Sequence, residues 1–184
     1  MTHRPRGEAT GQTDGMPEVL ALRAFREDDL PFLDRFATDP GVLGVHQWSG
    51  IKDPATHRRR FAENGYLGAE YTALALTVDD VVAGMASWTA ADRGGAPGSC
   101  FDVGLTLLPE YRGRGIGTAA HRLLVEHLFA FTRVHRLEAF TDGENVAEQK
   151  TLERVGFQRE GVMRQVTWRN GSWRDEVIYA LFRD

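Results

Sequence analysis

Residues 112–118, Arg-Gly-Arg-Gly-Ile-Gly-Thr, constrain this chain more than any other stretch. They follow an apolar run from Phe101 to Leu108, with only Pro109-Glu110-Tyr111 between. They open a segment whose apolar residues recur at helical spacing: Ile116, Ala119, Ala120, Leu123, Leu124, Leu128 and Phe131. A strand, a glycine-rich turn and a helix start, in that order, build a pocket for an anionic group. The first backbone N–H groups of a helix have no intrahelical partner, and the helix dipole adds roughly half a positive charge there. Gly113, Gly115 and Gly117 let the main chain approach a ligand with no Cβ in the way. Phosphate binding is the resulting expectation.

Two familiar phosphate loops fit poorly. A Walker A loop needs a lysine after its glycines, and none follows here. A dinucleotide fingerprint needs Gly-x-Gly-x-x-Gly; counted from Gly113, the third glycine position holds Thr118. A second strand-like run, Arg136 to Thr141, ends at Asp142 and keeps a dinucleotide-binding protein as a remote alternative. Against it, the Rossmann turn is tight, whereas Pro109-Glu110-Tyr111 and Arg112 separate this strand from its first glycine.

The better match is Arg/Gln-x-x-Gly-x-Gly/Ala, filled by Arg112, Gly115 and Gly117 after Leu-Leu-Pro-Glu-Tyr. This resembles the pyrophosphate loop of the GNAT superfamily of N-acetyltransferases. Asp102-Val103-Gly104 is similar to the acidic-apolar-Gly triplet of the RimJ/RimL branch. The run from Asn145 to Gly156-Phe157 is similar to that branch's Asn-x-x-Ser-x-x-x-Leu-Glu-x-x-Gly-Phe. The ending also matches, with Gly161 to Arg164, Asn170-Gly171 and Asp175, as does the opening at Leu22-Arg23, residues 27–30 and residues 39–42. The likeness covers nearly everything from Val19 to Arg183.

The patterning along the chain predicts an architecture. Val19 to Arg23 reads as a strand, and Glu27 to Thr38 as an amphipathic helix with Leu30, Leu33, Phe36 and Ala37 on one side. Asp53-Pro54 is a cap followed by proline at the first helical position, opening a helix to about Asn64. Leu74 to Val78 and Val81 to Trp88 are strands joined at Asp79-Asp80, and residues 90–98 form a loop. Asn170-Gly171 signals a type I′ hairpin between Val162–Arg169 and Trp173–Leu181. The expected fold is a mixed α/β (α+β) one. Its mostly antiparallel sheet has about seven strands with helices on both faces, in the order β-α-α-β-β-β-α-β-α-β-β, as in the GNAT fold. Residues 18–184 form one domain, and residues 1–17, which carry Arg4 and Arg6 but no apolar stretch, read as a flexible tail rather than a secretory signal.

Composition narrows the partners. With 184 residues, 42% hydrophobic, the chain has ample core for one domain. A net charge of −4 offers no basic footprint for nucleic acid. No apolar run reaches membrane-spanning length. The single cysteine, Cys100, excludes an internal disulfide and fits a reducing, cytoplasmic setting. His121, His127 and His135 lie six and eight residues apart, which is no metal-ligand spacing, so no metal is expected.

The resemblance implies acetyl-CoA as cosubstrate and a primary amine as acceptor, either a protein N-terminal α-amine or a small molecule, with the protein a monomer or homodimer. Pyrophosphate would lie on Arg112, Gly113, Arg114, Gly115, Ile116, Gly117 and Thr118, and the pantetheine arm against Leu105, Thr106 and Leu107, with Asn145 assisting. The amine would attack the thioester directly in a ternary complex. Cys100 has no histidine partner in sequence and reads as a small buried core residue. Asp102 and Glu138 are the acidic candidates for a base; the competing readings are Asp102 as scaffold paired with an arginine, and Glu138, which alternates with Leu137 and Ala139, as a solvent-facing residue. Relatives place a tyrosine or serine to protonate the departing thiolate, and those positions hold Leu152 and Glu148, leaving the acid unassigned. Glu148 reads instead as the third-position partner of an Asn145 capping box. His46 and Trp48 lie where the family walls its acceptor pocket, and Tyr179 with Trp168 and Trp173 forms a candidate aromatic rim, the tryptophans also reading as a cross-strand packing pair. A non-catalytic acyl-CoA-binding module remains the alternative, supported by the missing acid positions.

Overall fold

Alternation along the strands decides which helices each side chain meets. The computed structural model describes residues 18–184 apart from Pro54. The tail expected over residues 1–17 and the proline expected at a helix start lie outside the described residues. Seven strands form one sheet: β1 (Leu20–Arg23), β2 (Tyr71–Val78), β3 (Val81–Ala90), β4 (Cys100–Leu107), β5 (Arg136–Asp142), β6 (Gln158–Arg169) and β7 (Ser172–Phe182). Their spatial order is β1-β2-β3-β4-β5-β7-β6, and every neighbouring pair is antiparallel except β4 with β5. The helices are α1 (Leu30–Thr38), α2 (Pro40–Leu43), α3 (Ala55–Asn64), α4 (Ile116–Phe131) and α5 (Val146–Val155). The order matches the expectation with one addition, the single turn α2. It forms because the Asp39 side chain accepts the Gly41 N–H at 2.9 Å and Pro40 sits at the first helical position. One turn is too short for hydrophobic periodicity to reveal.

Both sheet faces are covered. Leu124 and Leu128 of α4 and Leu152 of α5 pack with Val103, Leu137, Ala139 and Val177 on one face. On the other, Leu33 of α1 and Phe61 of α3 pack with Tyr66, Ala73 and Ala75. Leu124, Leu128 and Leu152 are wholly buried, each worth about 2 kcal/mol over an exposed leucine.

Local signals formed as expected at both ends of α5. The Asn145 side chain accepts the Glu148 N–H at 3.2 Å, and Gly156, at φ +111°, ends the helix. The capping box forms only by half, because the Asn145 N–H is already bonded to the Asp142 carbonyl. Asn170 and Gly171, at φ +48° and +78°, make the type I′ turn. Beside it Trp168 and Trp173 meet edge to face across the hairpin, ring centroids 5.4 Å apart.

The parallel pairing of β4 and β5 is brief. It covers Cys100–Arg136, Phe101–Leu137 and Asp102–Glu138, and then the strands diverge. From Val103 to Leu107, β4 pairs only with β3. A sheet that is antiparallel elsewhere is no doubly wound dinucleotide fold, which sets the remote alternative aside.

Candidate active site

Past Asp102 and Glu138 the two strands no longer pair, and the glycine loop follows the free end of β4. The backbone N–H groups of Gly113 through Thr118 have no hydrogen-bond partner among the described residues; the first intrahelical bond of α4 runs from Ala119 N–H to the Gly115 carbonyl. Gly113 and Gly115 adopt φ +74° and +80°, a region costly to residues with a Cβ. A Cβ on Gly117 would lie 3.7 Å from Leu107 Cδ1 and 4.0 Å from Thr151 Cγ2, so the start of α4 passes close to both β4 and α5. Arg112 differs from its neighbours. Its N–H is bonded to the Pro109 carbonyl, and its guanidinium donates to the carbonyls of Leu107 and Val42. It braces the loop against β4 and α2. Arg114 is exposed and ion-paired with Glu18.

On β4, Phe101, Val103 and Leu105 belong to the core beneath α4 and α5. Asp102, Gly104 and Thr106 therefore face the side of α1 and α3. There the turn at residues 44–48 spans the mouth of the cleft. Thr106 Oγ1 on β4 donates to Gln47 Oε1 at 3.2 Å, while His46 Nδ1 lies 3.7 Å from Asp142 Oδ1 at the end of β5. Asp142 is buried, bonded by the Arg169 guanidinium and by the Glu144 N–H at 2.8 Å. One turn thus contacts both diverging strands. Trp48 is half-buried on it.

The two candidate bases occupy unlike surroundings. Glu138 does not face solvent; it is 1% exposed. Arg93 donates to both its oxygens, at 2.6 Å to Oε2, and Arg136 to Oε1 at 2.7 Å. Burial alone would raise its carboxyl, but the hydrogen bonds from Arg93 and Arg136 prevail and hold it below the ordinary range. The expectation of a solvent-facing residue failed because helices and loops cover both sheet faces, so alternation does not imply water. Asp102 is half-buried and bonded to none of the described arginines. Burial, then the charge of Glu138, pushes it up to about 6.

Tyr179 corrects another expectation. It is wholly buried in the core beneath α4 and α5, with its hydroxyl 3.2 Å from Glu153 Oε1. It lines no acceptor pocket, because its place on β7 points it to the opposite face from Asp102. Cys100 is a buried free thiol whose ionisation burial pushes up, so it is a poor nucleophile. Among the described residues no three potential ligands gather to hold a metal, and no helix is long and apolar enough to cross a membrane.

Several residues near the cleft carried no readable sequence signal. Arg93 sits in the glycine-rich loop before β4 and reaches Glu138 across 45 residues of chain. Arg169 reaches Asp142 across 27. His121 gave a weak signal, falling on the apolar side of α4.

Comparison with known proteins agrees with this geometry. A sequence profile described as an acetyltransferase (GNAT) domain matches residues 20–158. The chain is 25% identical over 84 residues to the uncharacterized N-acetyltransferase YnaD of Bacillus subtilis, a match covering 46% of this chain and about half (49%) of that relative. Its fold is similar to an acetyltransferase of Salmonella typhimurium that modifies the N-terminal serine of ribosomal protein L7/L12. That likeness has 22% identity and a TM-score of 0.74, covering 90% of this chain and 95% of the other. It is also similar to the spermidine N-acetyltransferase of Vibrio cholerae, solved with CoA and spermine, at 14% identity and a TM-score of 0.78 over 89% and 95% of the two chains.

Proposed function

The chain belongs to the GNAT acetyltransferase family, and from that membership we propose that it transfers an acetyl group from acetyl-CoA to a primary amine, in the manner of the RimJ/RimL branch and in the cytoplasm. The observation that carries this is the end of β4–β5 pairing at Asp102–Glu138, which opens a cleft beside the unbonded amides of Gly113 through Thr118. The pyrophosphate rests on those amides and the start of α4. The pantetheine arm runs along Val103 to Leu107, where β4 has an unpaired edge, and a β4 N–H polarises the thioester carbonyl.

The amine enters from the side of α1 and α3, under the turn that carries His46 and Trp48. Asp102 is the base. As the amine nitrogen bonds to the acetyl carbon, its proton passes to the Asp102 carboxylate, and the carbon–sulfur bond breaks with its electron pair on sulfur. A carboxyl near 6 is a better match to an amine than an ordinary aspartate. The mismatch is about 2 units for a protein α-amine at roughly 7.7–8.0 and about 4 for a lysine-like amine near 10.4. This favours an N-terminal α-amine or a small amine of depressed basicity. Glu138, locked between arginines, organises the cleft rather than serving as base.

Calorimetric titration with acetyl-CoA, with NAD as control, tests the reading first. Binding of acetyl-CoA alone is expected, followed by thiol release with a serine-terminated peptide or spermidine. Absence of coenzyme binding would overturn the assignment. Binding without turnover of any amine would favour the acyl-CoA-binding module.

A further inference from the structure

A positive charge stands on the β2 side of the acceptor face and has no part in the steps above. Tyr71 opens β2 on the same rung as Asp102: its partner on β3 is Thr89, and the partner of Thr89 on β4 is Asp102. Cross-strand partners share a face, and Tyr71 packs with the cluster under α1 and α3. It therefore faces the side from which the amine enters. Neighbouring strands lie about 4.8 Å apart, which sets Tyr71 about 10 Å from Asp102. Burial raises the Tyr71 hydroxyl above its ordinary range, while a hydrogen bond with Ser87 and the charge of Arg60 act the other way. Ser87 is paired with Gly104, two residues past Asp102 on β4, so the Tyr71 side chain leans toward the cleft.

α3 carries three consecutive arginines, and the fold gives them different partners. Arg58 pairs with Asp34, and Arg59 with Asp53 at 2.8 Å. Arg60 pairs with no carboxylate among the described residues. Its guanidinium lies over the Tyr71 ring, 4.6 Å from the centroid, with the Tyr66 ring at 5.9 Å. Arg60 is exposed, but the rings beneath it are fixed. Tyr66 is 1% exposed, its hydroxyl bonded to His57 and its carbonyl accepting the Ala73 N–H at 2.9 Å. Tyr66 and Tyr71 meet at 6.3 Å. The cation is thus oriented by two aromatic rings, with no counter-ion.

Across the same face the charge has the other sign. Asp102 is bonded to none of the described arginines, and Glu176 of β7 acts on it as a further negative charge. The cations nearby are engaged: Arg93 with Glu138, Arg169 with Asp142 and Arg174 with Glu144. An acceptor lying along the rung meets a carboxylate at one end and the Arg60 guanidinium at the other. Contacts of about 3 Å at each end leave roughly 4–7 Å between its nitrogen and an anionic group. Consecutive peptide Cα atoms are about 3.8 Å apart, so a carboxylate on the second side chain of a peptide reaches that far from the α-amine. A polyamine of similar length would set a second ammonium against the guanidinium.

Resting on the acetyl-CoA reading of the cleft, with Asp102 at the reacting nitrogen, we propose that Arg60 is a specificity-determining residue selecting a peptide α-amine whose second residue is Asp or Glu. Tyr71 is its positioning residue. The planar guanidinium can take a carboxylate in a two-point pair while its face stays on the ring.

The test measures thiol release from acetyl-CoA with four acceptors: peptides beginning Ser-Asp, Ser-Ala and Ser-Lys, and spermidine. Wild type is expected to use the Ser-Asp peptide best, by about tenfold in kcat/KM over Ser-Ala, with the difference in KM. The preference should shrink as salt is added. Arg60→Ala should erase it, and Arg60→Glu should make Ser-Lys a better acceptor than Ser-Asp. Tyr71→Leu should weaken the preference through KM, whereas Tyr71→Phe, which keeps the ring, should retain it. Because Arg60 is exposed, its variants are expected to fold, and titration of each with CoA checks that. Equal use of Ser-Asp and Ser-Lys by wild type, or a preference that survives Arg60→Glu, overturns the inference and leaves acetyl transfer standing. Failure of wild type to bind CoA, or to acetylate any of the four acceptors, overturns the reading beneath it instead.

Discussion

Asp102 and Glu138 stand opposite each other at the last paired rung between β4 and β5, and the structure treats them oppositely. Two arginines bond Glu138, while none of the described arginines bonds Asp102. The same negative charge that the arginines hold on Glu138 helps push Asp102 up to about 6. A fixed charge and a titratable one are thus placed side by side where the cleft begins.

With Asp102 as the proposed base, that contrast predicts the pH dependence of the reaction. The rate should rise as Asp102 loses its proton, with a midpoint near 6 in kcat/KM. Asp102→Asn should lower kcat by about 100-fold or more and leave CoA affinity unchanged. Paired pH–rate profiles and calorimetric titrations check this; an unchanged profile removes Asp102 from the mechanism.

Stability should respond in the opposite sense. Because the folded protein raises the Asp102 pKa, ionising it opposes folding, with no penalty below about 3.8 and the full penalty above about 6. Asp102→Asn should therefore be the more stable protein at pH 8, by something on the order of 2 kcal/mol. The difference should close below pH 4. Denaturant titrations at both pH values measure it.

Glu138→Gln carries the reverse sign. The lowered Glu138 pKa contributes stability above the ordinary carboxylate range, lost as pH falls through the folded value. Removing that charge leaves Arg93 and Arg136 only a neutral amide oxygen at this position, with Arg136 still paired to Glu160, and should cost about 2 kcal/mol near neutrality. The midpoint of the rate profile should also move to lower pH, since one negative neighbour of Asp102 is gone. Thermal unfolding and pH–rate measurements read the two effects separately.

Arg112→Ala should loosen the loop from behind. It removes the donors to the Leu107 and Val42 carbonyls, a loss of about 2 kcal/mol in stability. Acetyl-CoA should bind more weakly although the side chain does not itself face the loop's free amides. Comparing Tm and Kd tests whether the arginine braces the loop.

Tyr179→Phe separates core from pocket. It removes one hydrogen bond to Glu153 and should cost about 1 kcal/mol. KM for the amine should not change, because Tyr179 is buried beneath α4 and α5. A raised KM would return this residue to the acceptor site.

The glycine loop, the seven strands, the I′ turn at Asn170-Gly171 and the Asn145 cap were all legible from sequence. Each depends on neighbours within a few residues: a required φ, an unpaired helix N–H, or a repeat of two or about four. The sequence also pointed to Asp102 and to the turn at His46 through resemblance, without showing what either touches. It misplaced Glu138 and Tyr179, because alternation on a strand tells that two faces differ but not which face meets solvent or substrate.

What the sequence by itself determined is therefore the order of elements and the loop able to hold a phosphate, since short-range backbone hydrogen bonding and sterics decide both. What only the tertiary structure decided is the charge state of the cleft. Arg93 reaches Glu138 across 45 residues, the turn at His46 and Gln47 contacts two diverging strands, and His121 meets Glu148 between helices. Electrostatic neighbours are set by distance through space, and in this sheet those distances exist only once β4 and β5 have parted.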